Sequence, residues 1–165
     1  MKIKTLKELR SFISEGVYDP GIFKVFFLAG GPGSGKTFVT KTAFAGTGLK
    51  LVNSDSAFEK GLKSANLSLK MPDEEEYFRN IIRQRAKMTA STMLDTYVQG
   101  RLGLIVDATG RDLDLVTRQY NMLNSIGYDC YMIFVNTSLE VALERQKKRE
   151  RQVPAYVVKT SWDGV

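Results

Sequence analysis

The sequence predicts a three-layer α/β fold in which a mainly parallel sheet is flanked by helices. Short apolar runs alternate along the chain with helical patterns of about ten residues or more, as in consecutive βαβ units. The run over residues 22–28 is almost continuously apolar, which is typical of a strand buried on both faces. A glycine-rich turn joins that run to a helical pattern. At 165 residues, the chain is expected to form one domain over residues 1–165.

Hydrophobic periodicity and turn signals divide the first hundred residues into six segments. They are a helix over 5–15, a strand over 22–28 that begins the core, a helix over 36–45, a strand over 49–53, an irregular stretch over 56–71 and a long helix over 73–98. The acidic run at 73–76 opens the long helix, where negative charge favours the positive end of the helix dipole, so we interpret it as structural.

The long helix is expected to bury one side and to expose a basic one. The predicted apolar side consists of Phe78, Ile82, Ala86, Met93 and Tyr97. The predicted basic face consists of Arg79, Arg83 and Lys87.

The remaining segments follow the same alternation. They are a strand over 102–106 ending at Asp107, a helix over 112–125, a strand over 128–136, and a helix from about 138 that becomes strongly basic and reaches a candidate lid over 145–153. Ligands bind beyond the carboxyl ends of the strands in such sheets. The residues to inspect are therefore 30–37, 53–55, 107–111 and 136–137.

Composition restricts the function classes. The formal net charge is +6, which suits anionic partners without choosing among them. The chain has no histidine, so a proton-accepting catalyst must be Asp, Glu, Lys, Tyr or the single Cys130. No apolar run approaches the roughly 18 residues of a membrane helix, and no secretory signal is present. We therefore expect a cytoplasmic protein without a membrane partner.

The strongest motif is the loop Gly30–Thr37, which matches G-x-x-x-x-G-K-[ST] between an apolar strand and a helical pattern. It predicts a P-loop NTPase that binds ATP or GTP with Mg²⁺. Lys36 is expected to reach the β- and γ-phosphates, and the Thr37 hydroxyl to ligate magnesium. The predicted nucleotide-binding residues are Gly31, Pro32, Gly33, Ser34, Gly35, Lys36, Thr37 and Phe38. The alternative is a glycine-rich turn without a ligand.

Two acids follow predicted strands. Asp107 ends an apolar strand and is interpreted as a magnesium ligand. The alternative is a helix cap, although Asp112 is already available for that role. Asp55 should face the same crevice and could accept a proton from a substrate hydroxyl. The alternative for residues 53–55 is an Asx-turn.

The basic segment contains Arg145, Arg149 and Arg151. Phosphoryl transfer depends on positioning and charge neutralisation, for which a mobile arginine segment is suited. The alternative is a solvated basic surface.

With these residues in place, the chain resembles the zeta-toxin and polynucleotide-kinase group of P-loop kinases from about Phe23 to Val158. The stretch Asp107–Asp114, Asp-Ala-Thr-Gly-Arg-Asp-Leu-Asp, is similar to the D-x-T-x-R stretch of zeta-type kinases, which phosphorylate a UDP-activated amino sugar. The spacing Arg145-x-x-x-Arg149 with Val153-Pro154 shortly after it is similar to polynucleotide 5′-hydroxyl kinases.

The resemblance implies a nucleotide-kinase-like fold and a set of roles. Asp55 would be the catalytic base, and Arg145 and Arg149 would steady the transferred phosphoryl group, with Arg151 a weaker candidate. Thr109 and Arg111 would line the acceptor site, together with Asp55.

Two departures from the family pattern stand out. Polynucleotide kinases commonly carry an arginine three residues after the base, and Phe58 occupies that position here. Such kinases also usually end with a fifth strand, but only 14 residues follow Arg151, with no clear buried strand among them. The sequence therefore suggests a missing C-terminal strand, as in a fragment or a trimmed domain.

The leading hypothesis is a kinase that moves the γ-phosphate of ATP to a hydroxyl of a small acceptor such as a nucleotide sugar, with Lys36, Asp55, Arg145 and Arg149 as the catalytic residues. The runner-up is a kinase for the 5′-hydroxyl end of nucleic acid, supported by the positive charge. An ATPase or nucleotide switch and an inactive ATP-binding module are the remaining alternatives. Removing Asp55 discriminates these classes, because a switch would keep its hydrolysis.

Overall fold

A computed structural model of the chain describes Thr5, Leu6, Glu8 and residues 23–107 and 109–164. The predicted helix over 5–15 lies almost wholly outside these residues. The described part contains a four-stranded parallel sheet in the order β2-β3-β1-β4. The strands are β1 (Lys24–Ala29), β2 (Lys50–Val52), β3 (Leu104–Asp107) and β4 (Asp129–Phe134). The predicted α/β fold with a parallel sheet is confirmed.

Helices cover both faces of the sheet. They are α1 (Lys36–Ala43), α2 (Asp55–Ser64), α3 (Glu76–Gln99), α4 (Leu113–Ser125), α5 (Leu139–Lys147) and α6 (Ala155–Asp163), with a 3₁₀ turn at Asp73–Glu75 before α3. Successive residues of a strand point to opposite faces, so Val25 and Phe27 pack with residues of α3 and α4, while Phe26 and Leu28 pack with residues of α1. The result is the predicted three-layer arrangement.

The strand register brings the candidate site together. Leu28 of β1 pairs with Asp107 of β3, and Val52 of β2 pairs with Val106. Because the strands are parallel, the loop after β1, the turn after β2 and Asp107 share one edge of the sheet. No helix in the described part of the chain is both long and apolar enough to cross a membrane.

The prediction of an irregular stretch over 56–71 was wrong for its first half, which forms α2. Phe58 and Leu62 lie one helical turn apart, are fully buried, and pack with Ala86 of α3. The remaining residues of α2 are polar or small and mostly at the surface. Only Phe58 and Leu62 therefore indicate the helical period in the sequence. Tertiary packing, more than local propensity, determines this helix.

The predicted faces of α3 were only partly right. Ala86 is buried as expected, but Phe78 is 59% exposed. Arg79, assigned to the basic face, is buried and donates a hydrogen bond to the carbonyl oxygen of Pro72 at 2.8 Å. Helix α3 packs on α2 near its start and on the sheet near its end, where Leu94 is buried. One continuous apolar stripe therefore does not describe it.

After the basic segment the chain forms α6, where the sequence showed no clear buried strand. Val158 is fully buried, and the Trp162 indole N–H donates to the carbonyl oxygen of Thr137 at 2.8 Å. Helix α6 packs on α5 and beside the loop after β1, where a Cβ added at Gly31 would lie 3.5 Å from the Trp162 Cα.

Candidate active site

The phosphate loop is shaped by glycines in backbone conformations that other residues rarely adopt. Gly33 has φ +88° and Gly35 has φ +111°. Gly33 also touches the backbone of α5, because a Cβ at this position would lie 2.4 Å from the carbonyl oxygen of Ala142. Helix α1 begins at Lys36, so the positive end of its dipole is at the loop. This geometry is suited to an anion.

The Lys36 ammonium is part-buried inside the loop. It donates hydrogen bonds to the carbonyl oxygens of Gly30 and Gly31, the latter at 3.3 Å. Burial lowers the pKa of Lys36, while the negative charges of Asp107 and Asp55 act in the opposite direction. A desolvated ammonium held among carbonyl oxygens is well placed to bind the terminal phosphates of a nucleotide.

Asn53 joins the two predicted functional acids. Its side-chain N–H donates to Asp107 Oδ2 at 2.7 Å, and its side-chain carbonyl accepts the backbone N–H of Asp55 at 2.5 Å. The second bond is the Asx-turn considered from the sequence, and it coexists with an Asp55 carboxylate that faces the site. Burial raises the pKa of Asp107, and the charge of Lys36 and the Asn53 hydrogen bond oppose that rise. Asn53 therefore fixes both acids relative to one another.

Thr37 and Asp107 fit the requirements of magnesium. The described part of the chain holds no cluster of three or more His, Cys, Asp or Glu side chains that could enclose a metal ion. Magnesium does not need such a cage, because it keeps several waters and uses one or two protein oxygens together with substrate phosphates. A hydroxyl at the start of α1 and a carboxylate at the end of β3 are such a donor set.

Arg145 holds the loop from outside. Its guanidinium donates to the carbonyl oxygens of Gly33 at 3.3 Å and Ser34 at 3.1 Å. The Ser34 side chain is buried, and its hydroxyl oxygen has no hydrogen-bond partner within the described residues. Arg149 lies close enough that its charge acts on both Lys36 and Asp107. Of the two predicted lid arginines, Arg145 hydrogen-bonds to the loop and Arg149 lies near Lys36 and Asp107.

Asp55 has two arginine partners. From the sequence, Arg151 was only a weaker lid candidate, and Arg83 was assigned to the basic face of α3. Arg151 lies 2.9 Å from Asp55 Oδ2, and Arg83 of α3 lies 3.7 Å from Asp55 Oδ1. The Arg83 guanidinium also covers the ring of Phe58, 3.7 Å from its centroid. Arg83 sits between Arg79 and Lys87 in the sequence pattern, and only the packing of α2 on α3 distinguishes it from its neighbours.

The remaining predicted site residues lie at the margins. The Thr109 carbonyl oxygen accepts the Gly30 N–H at 2.9 Å, so its backbone supports the loop. The Arg111 side chain is exposed and lies beside Gly164. Phe38 is 63% exposed on α1. The Asp112 side chain accepts the Leu115 N–H and so caps α4. This is the capping role for which the sequence offered Asp112 in place of Asp107.

Comparison with known proteins places this geometry in context. The AAA domain family matches residues 25–164. A chain of the Pnkp1/Rnl/Hen1 RNA repair complex superimposes with a TM-score of 0.61 at 18% identity, over 86% of this chain and 43% of that one. A candidate kinase from Chloroflexus aurantiacus superimposes with a TM-score of 0.65 at 21% sequence identity, over 88% of this chain and 76% of that one. A chain of the PezAT toxin–antitoxin system of Streptococcus pneumoniae superimposes with a TM-score of 0.57 at 18% sequence identity, over 92% of this chain and 64% of that one.

Each of these solved structures is less than 25% identical to this chain, so the likeness establishes the fold alone. The chain spans less than half the length of the RNA repair chain and slightly under two thirds of the PezAT chain. No match was found among the curated proteins. The resemblance that the sequence predicted is confirmed at the level of the fold, which this chain shares with chains of an RNA repair complex and of a toxin–antitoxin system.

Proposed function

The chain belongs to the AAA domain family, and we propose that it is a magnesium-dependent kinase. It transfers the γ-phosphate of ATP, or of GTP, to a hydroxyl of a small acceptor such as a nucleotide sugar. The observation that carries this proposal is the chain of contacts from Asp107 through Asn53 to Asp55 beside the Lys36 loop. This arrangement supports a division of roles in which Asp107 acts at the nucleotide phosphates and Asp55 acts on the acceptor.

The chemistry follows from these positions. The loop N–H groups, the helix dipole of α1 and Lys36 bind the phosphates, and Arg149 adds positive charge beside them. Thr37 and Asp107 would hold magnesium, which would supply further charge neutralisation. Asp55 accepts the proton of the acceptor hydroxyl. The hydroxyl oxygen bonds to the γ-phosphorus, the bond from that phosphorus to the β–γ bridging oxygen breaks, and ADP leaves.

A second candidate is a kinase for the 5′-hydroxyl end of nucleic acid. The net charge of +6 supports it, as does the fold shared with a chain of an RNA repair complex. Phe58 argued against this function because an arginine is expected at its position. In the structure the Arg83 guanidinium lies over the Phe58 ring, so a positive charge occupies that region after all.

The test is transfer of label from γ-labelled ATP with Mg²⁺ to UDP-sugars, to a 5′-hydroxyl oligonucleotide, or to water. We expect label on one acceptor class, and loss of that label in Asp55→Asn and in Lys36→Ala. Asp95→Asn is the matched control, because it removes an exposed carboxylate of α3. Label released only as free phosphate, at a rate unaffected by Asp55→Asn, would contradict the kinase proposal and indicate an ATPase or switch. Binding of ATP without turnover would indicate an inactive module.

A further inference from the structure

Helix α3 has a second apolar stripe on the side that faces solvent. Its inward side packs on α2 and on the sheet, where Ala86 and Leu94 are buried. On the other side, Phe78 is 59% exposed, Ile81 is 40% exposed and Met88 is 70% exposed. These three residues follow one another at intervals of three and seven, so they share one face of the helix. Apolar surface on both sides is typical of a helix that is packed on both.

A charged residue lies on each side of Phe78 and Ile81 along this face. Glu74, in the 3₁₀ turn before α3, comes four residues before Phe78, and Arg85 comes four residues after Ile81. Both charged residues are exposed, and neither makes a salt bridge with another described residue. We call Glu74, Phe78, Ile81 and Arg85 the outer stripe. Its spacings of four, three and four residues are those of a coiled-coil seam.

The outer stripe is complementary to itself. From either end it runs charged, apolar, apolar, charged with the same spacings, and the two charges are opposite. Two antiparallel copies related by a two-fold axis between Phe78 and Ile81 would therefore place Phe78 of each copy against Ile81 of the other. The same axis would bring Glu74 of each copy to Arg85 of the other. A symmetric dimer requires a patch of this kind, in which the same residues serve both copies.

A groove between α2 and α3 adds depth to this surface. Its volume is about 350 Å³, and its lining includes Gly61 of α2 together with Ile82 and Arg85 of α3. It therefore shares Arg85 with the outer stripe. In the antiparallel register, Phe78 of a second copy lies opposite Ile81, the residue before Ile82, which brings its ring to the mouth of the groove. A large side chain that enters a preformed groove is a typical anchor of a protein–protein interface.

We propose that α3 is the interface of a homodimer, in which two copies of the chain pair antiparallel along the outer stripe. A second copy is the occupant that fits, because the stripe carries both the acid and the base that it needs in a partner. This proposal is independent of the proposed kinase function.

The exposed apolar area indicates how strong this dimer is. Four large apolar side chains on this side of α3 are between 40% and 71% exposed, namely Tyr77, Phe78, Ile81 and Met88. At about 200 Å² for each side chain, they expose roughly 500 Å² per copy. Two copies would bury about 1,000 Å², the lower limit for a specific interface. The dimer is therefore expected to be weak, with a Kd in the micromolar range or above.

Sedimentation velocity at increasing protein concentration, up to several hundred micromolar, tests the proposal. We expect a reversible monomer–dimer equilibrium at low ionic strength, where exposed charge pairs are least screened. Phe78→Ala should raise the dimer Kd at least ~10-fold, because it removes the anchor from both halves of the interface. Phe78 is exposed in the single chain, so the thermal midpoint measured on dilute protein should hardly change. That midpoint reports that the variant folds.

Charge reversal tests the register. Arg85→Glu and Glu74→Arg each place like charges at both symmetric contacts, so each should raise the dimer Kd about 10-fold or more. Mixed in equal amounts, the two variants should form a heterodimer with the affinity of the unaltered chain. In that pair the two introduced charges meet, and the two original charges meet as well. Lys87→Glu is the matched control, because Lys87 is exposed but lies about 200° round the helix from Arg85.

Three results would overturn the proposal. A chain that stays monomeric at every concentration would indicate that a different protein covers the outer stripe. A dimer whose Kd is unchanged by Phe78→Ala and by Arg85→Glu would have to use another surface. Failure of the mixed Arg85→Glu and Glu74→Arg variants to associate would exclude the antiparallel register, since their charges are complementary only in that pairing.

Discussion

Replacement of Gly33 by alanine tests how firmly the phosphate loop is built onto α5. The added Cβ would lie 2.4 Å from the carbonyl oxygen, 2.9 Å from the Cα and 3.0 Å from the carbonyl carbon of Ala142. All three are backbone atoms of a helix, so no side-chain rotation relieves the overlap. The φ of +88° adds backbone strain for any residue with a Cβ.

The magnitude is the sum of two costs. A left-handed backbone conformation costs a non-glycine residue about 1–2 kcal/mol. Forcing extra volume into a packed contact costs about 1–3 kcal/mol more. Gly46→Ala isolates the first cost, because Gly46 has φ +77° and nothing lies within 4 Å of the position that a Cβ would take there. We therefore expect Gly33→Ala to destabilise the protein by roughly 2–5 kcal/mol and Gly46→Ala by roughly 1–2 kcal/mol.

Urea unfolding of both variants measures the difference, and an ATP titration measures the effect on the loop. Gly33→Ala should also weaken ATP binding, because the loop or α5 has to shift, whereas Gly46→Ala should bind ATP normally. Thermal midpoints should fall by about 2–4 °C for each kcal/mol. Equal losses of stability in the two variants, with ATP affinity intact in both, would refute the argument that the loop rests on the α5 backbone.

Three further predictions concern Asn53 and Lys36 of the site and the Cys130 thiol of β4. Asn53→Ala should lower kcat by about 10- to 100-fold, because it removes the hydrogen bonds that hold Asp107 and Asp55, one of them to a charged group; unchanged transfer rates would show that the acids hold their own positions. Burial lowers the pKa of Lys36, so ATP affinity should fall as pH rises through a value below the ~10.4 of ordinary lysine. Lys36→Arg, which stays charged, should lose this pH dependence, and a titration curve that persists in it would exclude Lys36 as the cause. Burial raises the pKa of the Cys130 thiol, so alkylation by iodoacetamide should require a higher pH in native protein than the ~8.5 of free cysteine, and urea should abolish the difference.

The sequence was most informative where structure depends on neighbouring residues. The phosphate loop, the four parallel strands and the cap at Asp112 are determined by local glycines, apolar runs and short-range hydrogen bonds. Their order along the chain also placed Asp55 and Asp107 at the same edge of the sheet.

The errors came from contacts between residues distant in sequence. The pairing of Arg83 and Arg151 with Asp55 depends on how α2 packs on α3 and on where the chain passes after α5. Periodicity could not separate Arg83 from Arg79 and Lys87, the other members of the predicted basic face. Asn53 was recognised only as a turn former, since its bond to Asp107 spans 54 residues.

The attachment of α5 to the phosphate loop also limits how far the basic segment can move. Arg145 is bound to the loop at one end of the basic segment, and at the other end the Gln152 N–H donates to the carbonyl oxygen of Leu69, between α2 and α3. The basic segment is therefore held at both ends, and the residues that can move between its anchors include Arg149 and Arg151. A displacement of Arg151 away from Asp55 has to be absorbed within these few residues, and it cannot extend into the phosphate loop unless the Arg145 hydrogen bonds break.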